Sequence, residues 1–146
     1  MNKEQINKVF GVPVATQTNW EKNRPDYAKY LDKGLTLIEL LPKEVVTELF
    51  AADKPKQINQ TFGIESNFAK TEMKITPSTV SDWMANGRNK LYIGLITGAI
   101  LDKLEPILVE NNKTLTDLYN SDIDIVDFIY VWRHRPAVVQ ALTRTL

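Results

Sequence analysis

The chain has 146 residues, 43% hydrophobic and 25% charged, which suits a globular protein with a real core and excludes wholesale disorder. Eighteen Lys and Arg balance eighteen Asp and Glu, so no overall charge draws it to a polyanion, and the absence of cysteine excludes disulfides and thiolate chemistry. No apolar signal core follows Met1, and the longest apolar run, 91–101, contains two glycines and is too short to span a bilayer. A cytoplasmic protein without membrane contact is expected.

From the N-terminus, Ile6, Val9 and Phe10 mark an apolar face, Gly11 makes a turn, and Ala15 to Lys22 forms the following helix, with Pro13 as its start. Asn23-Arg24-Pro25 ends that helix. The segment from Asp26 to Lys33 reads as another, with Tyr27, Tyr30 and Leu31 on one side. Leu35 to Leu41 and Lys43 to Ala52 are apolar at helical spacing, with Pro42 between them. Asp53-Lys54-Pro55-Lys56 is a linker and the best domain boundary. It divides an N-terminal helical region, 1–53, from 54–146, unless the two form one compact domain.

The stretch Ile75 to Arg88 is the most completely signalled helix in the chain. Thr76 can cap it, Pro77 suits its first position, Val80 and Trp83 share a face, and Asn86-Gly87 stops it. Asn89 to Leu101 reads as a mostly buried helix broken or ended near Pro106, with Gly94 and Gly98 spaced for close packing. Thr114 with Asp117, and Ser121 with Asp124, look like capping boxes opening short helices. Arg133 to Pro136 interrupts, and Ala137 to Leu146 forms a terminal helix. No alternating pattern is long enough for a strand, so the expected fold class is all-α, a helical bundle.

Charge is segregated along the chain. Between Lys54 and Tyr92 six bases face three acids, a net of +3, whereas between Asp102 and Phe128 two bases face seven acids, a net of −5. Two blocks also recur. Gln5 to Val12 returns as Gln57 to Ile64 at an offset of 52, and Ala15 to Trp20 is echoed by Ser78 to Trp83 at an offset of 63, so an eleven-residue insertion separates them. An old duplication accounts for both matches; convergence on the same local chemistry accounts for the second alone.

The segment Ile75 to Trp83, preceded by Ser66 to Met73, resembles the helix-turn-helix of phage CI-type repressors. In that family the first helix carries an apolar–Ala pair, the turn usually contains Gly, and the second helix ends on a buried apolar residue. Phe68-Ala69 match the pair and Met73 the end of the first helix. Lys74 stands where Gly is usual, and the spacing from Ala69 to Thr79 is one residue longer than the common pattern. The N-terminal candidate keeps the family's spacing at Ile6, Phe10, Gly11, Val12, Thr16 and Trp20, with Asn7 in place of Ala and Gln17 in place of a buried aliphatic. The bundle thus carries one or two helix-turn-helix motifs.

The resemblance implies a sequence-specific regulator of the phage- or plasmid-repressor kind, binding double-stranded DNA, expected as a homodimer. A short capped helix with a polar outer face is what entry into a major groove requires. On that reading Thr76, Ser78, Thr79, Ser81 and Asp82 face base edges or adjacent phosphates, Asp82 accepting from a cytosine amino group. Lys70, Lys74, Arg88 and Lys90 hold phosphates. In the first motif the candidates are Val14, Ala15, Gln17, Thr18 and Asn19, with Lys22 and Arg24 on the backbone; Trp20 and Trp83 are structural.

Enzymatic readings find no support. The chain has no Gly-rich phosphate loop and no Ser-His-Asp set, so neither an enzyme nor a cofactor is expected. His134 sits between two arginines without a ligand partner at metal-binding spacing, and Asp122, Asp124 and Asp127 fit a helix start, so no metal is expected either. The alternative to DNA binding is an all-α protein-interaction or adaptor module, or an antitoxin-like subunit, whose helix-turn-helix no longer binds DNA. The zero net charge and Asp82 favour that alternative.

Overall fold

Proline stands at the start of six of the eleven helices among the described residues, as N-cap or first helical residue. The computed structural model describes residues 2–146, which form eleven helices and, among them, no strand. They are α1 (Lys3–Phe10), α2 (Val14–Asn23), α3 (Pro25–Leu40), α4 (Lys43–Ala51), α5 (Pro55–Phe62), α6 (Phe68–Met73), α7 (Pro77–Ala85), α8 (Asn89–Glu110), α9 (Leu115–Asn120), α10 (Ile125–His134) and α11 (Pro136–Arg144). Pro25, Pro55, Pro77 and Pro136 each open a helix, where the missing N–H would have no intrahelical partner. Gly11 and Gly63 close α1 and α5 in the left-handed conformation. The all-α class expected from the sequence is therefore observed, and no described helix is long and apolar enough to cross a membrane.

Two helices organise the core. α8 is buried on every side from Leu91 to Leu101, and α3 lies along it. Glycine makes that approach possible: a Cβ on Gly98 would sit 1.8 Å from the carbonyl oxygen of Tyr30, and one on Gly34 would sit 2.3 Å from that of Gly94. The close packing expected of Gly94 and Gly98 is thus confirmed: Gly98 meets the backbone of α3, and Gly94 meets Phe10 of α1 and Leu31 of α3. Thr97 turns its hydroxyl back onto the Ile93 carbonyl at 2.7 Å, which satisfies it inside the core. On the outer edge of the same joint, Lys33 bridges Asp102 (3.1 Å) and Glu105 (2.7 Å). Of the linker expected at 53–56, Asp53 and Lys54 lie between α4 and α5 while Pro55 and Lys56 open α5, and apolar core residues from both sides belong to one cluster.

Three sequence expectations differ from the structure. Asp26 to Leu41 is not two segments: α3 runs unbroken through Gly34, because that glycine is what lets α3 touch α8. Nor does α8 stop near Pro106, since it continues to Glu110. Pro106 is exposed, so the carbonyl that loses its partner one turn earlier can be met by water, while Leu104 and Leu108 keep the helix anchored in the core. Finally, Ser121 does not cap α10. Asp124 does, accepting from the amides of Val126 (2.8 Å) and Asp127 (3.1 Å), whereas the box expected at Thr114 and Asp117 forms.

Candidate nucleic-acid interface

The local chemistry of α7 places a row of short polar side chains outside and two large apolar ones inside. Thr76 accepts from the Thr79 amide as N-cap, and its hydroxyl also lies 3.1 Å from that of Ser78 and 2.9 Å from that of Thr79. Val80 is buried and Trp83 half-buried, while Thr76, Ser78, Ser81 and Asp82 are exposed and Thr79 is half-buried. At the far end the Arg88 amide reaches back to the Trp83 carbonyl at 2.7 Å across Gly87, which takes a φ of +74°. That bond fixes where Arg88 leaves the helix.

Cations stand at both ends of α7. Lys70 lies on α6 and Lys74 in the turn before α7; Arg88 and Lys90 follow it. All four are exposed, and none has a carboxylate within ion-pair distance among the described residues. Other cations of the chain are paired, some of them with Glu72 on α6 itself. Lys29 and Lys33 are tied to Asp102, Lys103 to Glu72, and Arg133 to Glu65 and Glu72. Lys74 holds the left-handed turn at a φ of +56°, the place where the resembled family usually has glycine.

The first motif is less free. Gln17, expected at the interface, is 2% exposed and donates through its amide nitrogen to the carbonyls of Lys3 and Val12, both at 2.8 Å. It fills the slot of the buried aliphatic and holds α2 to α1 from inside, so it is removed from the contact set. Thr18 receives a hydrogen bond from Lys3 (3.1 Å), Asn19 receives one from Asn23 (2.7 Å), and Arg24 is paired with Asp26 while its guanidinium lies 3.7 Å from the Tyr27 ring centre. Only Val14, Ala15 and Lys22 are exposed and uncommitted.

The two motifs meet at an anchor the sequence did not reveal. Trp20 stands edge-on to Tyr27 at 5.3 Å between ring centres, and Trp83 does the same at 6.3 Å. Between the motifs lies a cleft of about 460 Å³, bounded by the Gly11–Pro13 turn, Thr16 and Trp20 on one side and by Trp83, Gly87, Arg88 and Lys90 on the other. Tyr27 read as one apolar residue of a helix, and nothing in its spacing pointed to α7.

The recurring blocks coincide with matching elements. Ile6, Phe10 and Val12 are buried at and after α1 as Ile58, Phe62 and Ile64 are at and after α5, and Gly11 and Gly63 share the left-handed turn. The eleven-residue insertion contains α6. In keeping with that, α7 packs chiefly on α5 and α8, while α6 packs on α8. The partner of α7 within its motif is α5 as α1 is the partner of α2, and not α6 as the resemblance implied. No known protein family, curated protein or solved structure matches this chain.

Proposed function

We propose that this chain is a sequence-specific regulator that binds double-stranded DNA and reads the major groove with α7. The observation that carries the reading is the free cations at both ends of a helix whose outer face is short and polar. An α-helix with its side chains is about 10–12 Å across, which fits a groove about 12 Å wide, and the short exposed side chains of α7 add little to that width. Lys70 and Lys74 would hold phosphates before it and Arg88 and Lys90 after it; Ser78, Ser81 and Asp82 would meet base edges. The segregated charge supports this, because the basic stretch of the sequence contains α7. A homodimer would supply a second copy of α7 for a paired half-site.

Selection from a random duplex pool at physiological salt tests the reading. An enriched motif is expected, and failure to enrich any sequence, with no binding at low salt, would refute it. Arg88→Ala should weaken binding to all sequences and lower the salt slope by about one. Ser81→Ala should change the preference between sequences.

A second reading, a protein-interaction module, is favoured by one observation. Val109 is 70% exposed and Tyr119 56% exposed in the acidic part of the chain, two apolar side chains without cover.

A further inference from the structure

We propose that the cleft between the two motifs is a binding site for a small aromatic anion, an aromatic carboxylate being the simplest member of the class. Its volume of about 460 Å³ lies within the range of ligand pockets. Buried Phe10, Val12 and Leu91 give it an apolar base, and half-buried Trp20 and Trp83 supply aromatic walls. Such walls suit a flat ring, which would stack or meet them edge-on.

The charge at the rim selects the polar end of the ligand. Arg88 and Lys90 are the only charged residues bounding the cleft, and neither is paired with a carboxylate among the described residues. A guanidinium fork offers two parallel donors to a carboxylate, and Lys90 adds a second cation. α8 also begins here without a side-chain cap, so the positive end of the longest helix adds to the same field. A cation would be repelled, and a neutral ring would gain nothing from either charge. The proposal does not depend on DNA binding, and its test is run without DNA.

The full chain is titrated with 1-naphthoate and, in parallel, with uncharged 1-naphthalenemethanol, while the amide resonances of Gly11, Gly87, Arg88 and Lys90 are followed by NMR. Saturable shifts at these amides are expected with naphthoate, and binding of the alcohol weaker by about two- to fivefold, the worth of ion pairing with solvent-exposed cations. In the double variant R88Q/K90Q, whose side chains are exposed and unpaired, the two ligands should bind alike with the rest of the spectrum unchanged. Equal affinity of the two ligands for the unmodified chain would overturn the proposal. So would shifts centred on Val109 and Tyr119, or no saturation at the cleft amides.

Discussion

Replacing Gly98 with alanine tests whether the α3–α8 joint is set by main-chain contact. The new Cβ would lie 1.8 Å from the Tyr30 carbonyl oxygen, 2.4 Å from its carbon and 2.5 Å from its Cα, so no side chain can swing aside to admit it. Reaching even a 3.0 Å separation requires the two backbones to part by about 1.2 Å. A gap of about 1 Å forfeits a quarter to a half of each dispersion contact across the interface. α3 cannot tilt freely to limit the loss, because a second close backbone approach, Gly34 against the Gly94 carbonyl (2.3 Å to the position of a Cβ), holds it as well. Overpacking of this kind costs about 3 kcal/mol, and alanine's better helix propensity offsets only about 1 kcal/mol of it. The net loss should lower Tm by roughly 4–8 °C in thermal melts followed by far-UV circular dichroism, with a matching fall in the urea midpoint. Gly11→Ala is the control. Its Cβ meets nothing within 4 Å, so its cost is only the left-handed backbone, about 1–2 kcal/mol. Should G98A melt within a degree or two of the unmodified protein, the claim that bare backbone sets the α3–α8 spacing fails.

Two further outcomes follow from single side chains. Tyr92 donates to Asn59 Oδ1 at 2.7 Å in the core, and burial pushes its phenol up from 10.0 to about 12. The folded chain therefore retains the proton that the unfolded chain loses. Its contribution, on the order of 2–3 kcal/mol, is complete below about pH 10 and disappears as pH rises towards 12. Tyr92→Phe should flatten this part of the stability–pH curve, and equal slopes in variant and parent would contradict the assignment. Lys74→Gly should raise stability by up to about 1 kcal/mol, because glycine takes a φ of +56° without the steric cost. The same change should lower the salt slope of DNA binding by about one if Lys74 holds a phosphate; reduced stability would show that the turn is not strained.

The parts of the fold legible in the sequence are those decided within a few residues. Pro77 and Thr76 start α7, Thr114 and Asp117 box the start of α9, and Gly11 stops α1, each through bonds to immediate neighbours. Gly94 and Gly98 announced close packing but not its partner. What the sequence concealed depends on contacts between distant segments. Gly34 and Pro106 read as breaks because their local cost is real, yet contacts with α8 in the first case and burial of Leu104 and Leu108 in the second keep each helix whole. Gln17 read as a base contact because its amide suits adenine; the same donors serve the carbonyls of Lys3 and Val12 equally well.

The duplicated look of the chain does not make its two motifs equivalent readers. Both tryptophans rest on Tyr27, so α2 and α7 are held to one anchor and cannot move independently without breaking an aromatic contact. Around α2 the polar groups have been used to brace the N-terminal helices: Lys3 ties to Thr18 and Glu21, and Arg24 to Asp26 and Tyr27. Around α7 they have not, and the inserted segment that precedes it carries Lys70 on α6 and Lys74 in the turn. On the DNA-binding reading, a single copy therefore carries one complete reading head and one mainly structural partner. Recognition of a paired site would then need a second copy, so one chain bound alone to two half-sites would contradict this division of roles.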